Sequence, residues 1–177
     1  MAAAPLPALA GPVADRAAEA EASLSTGNAV AALTAFDAAA AAFWDAVPLQ
    51  LRVVAFADDV KGFGNYQPRT GSTFRHGDTL KVYFEPYGFG FTPDGDGFRS
   101  ALAVDVEVRT HGGLVLGKAE DVTHLEWSGR AKMHEVHATV ALPLPELKPG
   151  DYKLIVTLRD QASPKTASAE LPFSVAE

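Results

Sequence analysis

The sequence predicts an antiparallel β-sandwich of seven to eight strands preceded by an N-terminal α-helical hairpin. Three observations carry that reading. Residues 1–47 are alanine-rich, with apolar side chains at helical spacing. Residues 48–177 alternate apolar and polar side chains with the period of two that marks half-buried strands. Glycine and proline turns separate these runs and leave no room for the crossover helices a parallel sheet needs.

The helical segment comes first. Twenty alanines lie in residues 1–47, and alanine is the strongest helix former. Helix is expected from about residue 12, with Gly27 between two helices. Asn28 is placed to cap the second, with Thr26 as the alternative. There Val30, Leu33, Phe36, Ala40, Phe43 and Trp44 recur at helical spacing until Pro48 stops the run. The expected boundaries are therefore residues 1–47 for the helical segment and 48–177 for the β-domain.

In the β-domain Leu80, Val82 and Phe84 face one way, Lys81 and Tyr83 the other. Leu102, Val104, Val106 and Val108 alternate with Asp105, Glu107 and Arg109. His134, Val136, Ala138, Val140 and Leu142 share a face, as do Tyr152, Leu154, Val156 and Leu158, and Ala169, Leu171, Phe173 and Val175. Each run reads as a strand with one buried and one wet face. Turns fall at His76-Gly77-Asp78, Pro93-Asp94-Gly95, His111-Gly112-Gly113, Ser128-Gly129, Pro149-Gly150-Asp151 and Ser163-Pro164-Lys165.

The stretch Leu147-Lys148-Pro149-Gly150-Asp151-Tyr152-Lys153-Leu154-Ile155-Val156 resembles the penultimate strand of immunoglobulin-like and fibronectin-III-like domains. Those folds place a tyrosine soon after such a turn, where its hydroxyl ties back to the backbone. Tyr152 stands at the matching position. The resemblance covers about 30 residues directly and implies an Ig-like sandwich without the paired cysteines of antibody domains. A helical segment ahead of such a sandwich resembles bacterial envelope proteins, which implies a periplasmic or extracellular location. Met1 before an Ala- and Pro-containing stretch reads as a start placed on a mature secreted chain, with its signal already removed. A cytoplasmic protein has the same look.

Composition excludes several classes. With no cysteine there is no disulfide scaffold, thiolate catalysis or Cys zinc site. A net charge of −7 argues against nucleic-acid binding. Five acidic residues and Arg16 alone among basic ones put most of that charge in the first 47 residues. No apolar run reaches the roughly 18 residues of a membrane span, so a transmembrane protein is not expected. No nucleophile elbow, zincin helix, phosphate loop or dinucleotide fingerprint is present, so an enzyme and a cofactor are not expected.

Residues 62–98 are unusual. They hold nine of the sixteen aromatics and eight of the fifteen glycines. Lys61-Gly62-Phe63-Gly64-Asn65-Tyr66 and Glu85-Pro86-Tyr87-Gly88-Phe89-Gly90-Phe91 both alternate rings with glycine. Glycine leaves neighbouring ring faces uncovered, and such rings suit a protein or small ligand. The competing reading makes them one end of the core, covered by the helices with Phe43 and Trp44. The contact candidates are Tyr66, Tyr87 and Phe89, with Arg69 orienting a polar group or pairing with Glu85.

Two other functions remain open. His124, Met133, His134 and His137 offer imidazole and thioether ligands to copper, although residues 134 and 137 of a strand point to opposite faces. Asp94-Gly95-Asp96-Gly97 opens like a calcium loop, with Asp58-Asp59 as possible additions, but its twelfth position is Asp105, inside a predicted strand. A purely structural or assembly domain is the last alternative.

Overall fold

The computed structural model describes residues 11–177. The chain divides into two compact units, Met1–Val47 and Pro48–Glu177.

The first unit is a helical hairpin of α1 (Pro12–Ser25) and α2 (Ala29–Ala46). Pro12 opens α1, where its missing N–H costs nothing. Gly27 takes φ +75° in the turn, a conformation that side chains with a Cβ avoid. The Asn28 side chain accepts a hydrogen bond from the Ala31 N–H at 3.2 Å, capping α2 as the sequence predicts. Ala20, Ala32, Ala35 and Ala39 are buried. By length and composition α2 is also apolar enough to cross a membrane, with a mean hydropathy of 1.3 over its 18 residues. The expectation that no segment could span is corrected here: Thr34, Asp37 and Asp45 interrupt the apolar run of α2 without lowering its average enough to exclude it. A carboxylate near the centre of a span costs about 2.5–3.5 kcal/mol.

The second unit is a sandwich of two sheets. Seven strands of six residues or more build it: β1 (Gln50–Gly62), β4 (Thr79–Tyr87), β6 (Gly97–Thr110), β7 (Val115–Gly129), β8 (Ala138–Pro143), β9 (Gly150–Asp160) and β10 (Thr166–Val175). Three short strands complete it: β2 (Asn65–Pro68), β3 (Thr73–Phe74) and β5 (Thr92–Asp94). The first sheet has the order β2-β1-β4-β8, and the second β3-β10-β9-β6-β5, with β7 also paired to β6. All pairs are antiparallel except β3 with β10. Tyr152, at the start of β9, donates its hydroxyl to the Lys148 carbonyl at 2.7 Å. That is the corner the sequence led us to expect, and the fold is an Ig-like sandwich.

The core lies between the sheets. Leu80, Val82 and Phe84 of β4 are buried, as are Leu102 and Val104 of β6 and Leu154, Val156 and Leu158 of β9. Phe56, Phe74 and Phe173 meet edge to face at centroid distances of 5.0 to 6.4 Å. Two expectations need correction. Residues 134–137 are not strand, because β8 pairs with β4 only from Ala138 onward. And the second face of β4 is buried at its centre: Tyr83 is 0% and Glu85 4% exposed, between the half-buried Lys81 and Tyr87.

Candidate functional site

The two aromatic-glycine loops converge on β4. Tyr83 and Glu85 project from the face of β4 opposite to Leu80, Val82 and Phe84. The Tyr83 hydroxyl donates to Glu85 Oε1 at 2.6 Å and accepts from the Gly64 N–H at 2.9 Å. Gly64 can make that approach because the two-residue turn between Gly62 and Asn65 gives it φ +66°. The first loop is thus fastened to the sheet by one phenol. Rings from both edges of the sheet meet the Tyr83 ring: Tyr66 of β2 stacks at 4.0 Å and 15°, and His137, just before β8, at 5.7 Å and 27°.

Arg52 supplies the counter-charge. A bulge in β1 sets Leu51 opposite Pro86 and Val53 opposite Glu85, leaving Arg52 as the extra residue. Its Nη2 donates to Glu85 Oε2 at 3.1 Å. The guanidinium lies 5.8 Å from the Phe63 ring centre and 5.9 Å from that of Tyr87. The Glu85 side chain is 5% exposed, whereas that of Arg52 is 57% exposed. Burial pushes the Glu85 carboxyl up, but hydrogen bonds from Tyr83 and Arg52, and the charge of Arg52, outweigh it and hold it below its ordinary value. Burial first, then the bond to Glu85, pushes the Tyr83 phenol up to about 12, against the opposing effect of the Gly64 N–H.

The result is a cation anchored from beneath by a buried carboxylate and flanked by rings. Phe63, Tyr66 and Tyr87 are each partly exposed. The arrangement can orient a ligand with an acceptor group and an apolar body.

The sequence-derived candidates separate. Tyr66, Tyr87 and Glu85 come together here. Phe89 does not: it is 1% exposed and stacks on Trp127 at 5.8 Å, so it is core. Arg69 lies elsewhere and is not the partner of Glu85. Its guanidinium pairs with Asp58 at 3.3 Å, donates to the Thr73 carbonyl at 3.2 Å and covers the Phe74 ring at 4.5 Å. Sequence reasoning passed over Arg52 and the polar role of Tyr83. The signal for the second was present, since residues 83 and 85 share a strand face.

The four candidate metal ligands are also separated. His124 is 3.7 Å from Asp121, His134 meets the Phe91 ring at 5.5 Å, His137 lies on Tyr83, and Met133 is exposed. Among the described residues no group of three or more His, Cys, Asp or Glu side chains converges as a metal site. Asp94 to Gly97 forms the exposed β5–β6 turn.

The second sheet buries two carboxylates, Asp105 and Asp160, and Asp105 is the one paired with an arginine. Asp105 of β6 accepts from Arg159 Nε at 2.8 Å and Nη2 at 3.1 Å, and from the Asp121 N–H at 2.9 Å. Arg159 also donates to Asp121 Oδ1 at 2.6 Å. Asp121 sits in a β7 bulge with φ +53°. The hydrogen bonds from Arg159 hold the Asp105 carboxyl below its ordinary value against the opposing effect of burial.

No family model matches the chain, and no curated protein does. Similar solved structures include an immunoglobulin-like protein from Pseudomonas aeruginosa, 15% identical with a TM-score of 0.38, covering 73% of this chain and 98% of that one. A CARDB domain from Pyrococcus furiosus is 11% identical with a TM-score of 0.31, covering 75% and 96%. A superoxide reductase from Ignicoccus hospitalis is 11% identical with a TM-score of 0.34, covering 61% and 77%. The first two are β-sandwich folds. Likenesses this distant carry no ligand or activity to this chain.

Proposed function

We propose that the chain is a non-enzymatic binding module of the bacterial envelope. It takes a protein or small ligand at the 61–69 and 85–91 loops. One observation carries the reading: both loops meet at the Arg52–Glu85 pair, where an exposed guanidinium is held between the Phe63 and Tyr87 rings. Arg52 is the orienting cation, in the role the sequence had given to Arg69. Tyr66, Tyr87 and Phe63 supply apolar contact. The ligand is one that presents a carboxylate or other acceptor beside an apolar group. The envelope location is part of the proposal and rests on the cysteine-free, β-rich body.

The test is affinity capture from an envelope extract of the source cells. The native chain is compared with an Arg52→Gln/Tyr87→Ala variant whose fold is checked by circular dichroism. A ligand or protein retained only by the native chain supports the reading. Equal retention by both forms overturns it.

A further inference from the structure

On α2, Leu33, Phe36, Ala40 and Phe43 form one exposed stripe with the 3–4–3 spacing of a coiled-coil seam. Val30, and Leu24 of α1, extend it. The large apolar side chains of this face are between 47% and 77% exposed. Ala17, Ala20 and Leu24 of α1, with Ala29, Leu33 and Phe36 of α2, line a groove of about 540 Å³ between the helices.

We propose that a second copy of this chain docks on this face, hairpin against hairpin, to form a four-helix bundle. The patch is self-complementary: alanines supply the holes, and Leu33 and Phe36 the knobs, as a two-fold interface requires. The area suffices. The five large side chains expose roughly 600 Å² per copy, so two copies remove about 1,200 Å², the lower bound of a specific interface. The charge disfavours a lipid surface, because α2 carries no Lys or Arg and the first 47 residues hold five acidic groups against Arg16 alone. The hairpin also needs the contact: within α1 and α2 the buried side chains are four alanines and Trp44, little apolar area for a two-helix unit.

Sedimentation equilibrium of the 177-residue chain from about 1 to 100 μM tests this. The expected result is a concentration-dependent species of twice the 18.6 kDa chain mass. Leu33→Ala/Phe36→Ala removes the knobs while keeping high helix propensity, and is expected to weaken the dimer at least ~100-fold with helicity retained. Leu116→Lys, at the exposed start of β7, is expected to leave it unchanged. A monomer throughout, a dimer indifferent to the alanine pair, or a monomer that floats with phosphatidylcholine–phosphatidylglycerol vesicles overturns the proposal, the last by making lipid the occupant.

Discussion

Each sheet of the sandwich buries one carboxylate against an arginine, and the two pairs are built differently. Asp105 is saturated by the protein: two nitrogens of Arg159 and a backbone N–H hold it, and Arg159 is shared with a second aspartate. Glu85 takes one bond from a phenol and one from an arginine that is more than half in solvent. The first pair locks a β-bulge to a neighbouring strand. The second leaves a guanidinium facing outward among rings. Burial of a charge therefore does not by itself mark a site. What marks it is an outward-facing partner whose donors remain within reach of a ligand.

The contrast can be broken most severely at Tyr83. Tyr83→Ala empties a fully buried position beneath the Tyr66 ring and releases the first loop, and we expect a loss of about 3–5 kcal/mol in urea unfolding. A loss below about 1 kcal/mol would show that the loop is held by other contacts. On the other sheet, Asp105→Ala leaves Arg159 with Asp121 alone and frees the Asp121 N–H, for an expected cost of about 1–3 kcal/mol.

Tyr83→Phe keeps the ring and deletes the hydroxyl between Gly64 and Glu85, which should cost about 1–2 kcal/mol. It also has an alkaline signature. Burial and the bond to Glu85 push the folded phenol up to about 12 from its ordinary 10.0, so the folded state holds its proton longer. That stabilisation is complete below pH 10 and is lost as pH rises towards 12. In an ultraviolet titration one of the four tyrosines should ionise last, and that step should vanish in Tyr83→Phe. At the acid end the sign reverses. Both carboxyls are lowered when folded, from 4.5 for Glu85 and 3.8 for Asp105, so their stabilisation is present above those values and is lost as pH falls through the folded ones. Glu85→Gln/Asp105→Asn should flatten that limb of the stability curve.

The smallest stability effect sharpens the comparison most. Arg52→Gln should cost less than about 1 kcal/mol because its side chain is largely solvated. The same change should abolish ligand retention. Arg159→Gln should show the opposite pattern, a larger loss of stability with retention unchanged.

The sandwich was legible because period-two alternation is a direct record of burial on one face. The Tyr152 corner was legible because a Pro-Gly turn fixes where the tyrosine falls, and Asn28 because capping is local chemistry. The site was legible only in part. Tyr66, Tyr87 and Glu85 stood out by composition, but Phe89 has the same sequence surroundings as Tyr87 and lies in the core. Glycine flanking does not say which face a ring takes. Arg52 was invisible, because a one-residue bulge in β1 reverses the face that alternation assigns, and bulges leave no mark in the pattern. Arg69 was misassigned for a related reason: its neighbours in sequence are rings, whereas its neighbours in space are Asp58, Thr73 and Phe74.

The one parallel contact of the sandwich has a mechanical meaning. β3 and the end of β10 run side by side, joined from Ser174 N–H to the Ser72 carbonyl and from Ala176 N–H to that of Phe74, each at 2.9 Å. A pull applied at Ser72 and at the C-terminal end of β10 draws these strands past each other along their length. Their hydrogen bonds then bear the load together, whereas a hairpin such as β9–β10 unzips one rung at a time. Arg69, clasping Thr73 and lying on Phe74, braces the short strand of this clasp. Under that pull the resistance should be set by a two-residue strand and one arginine, not by the long ladders that dominate the core.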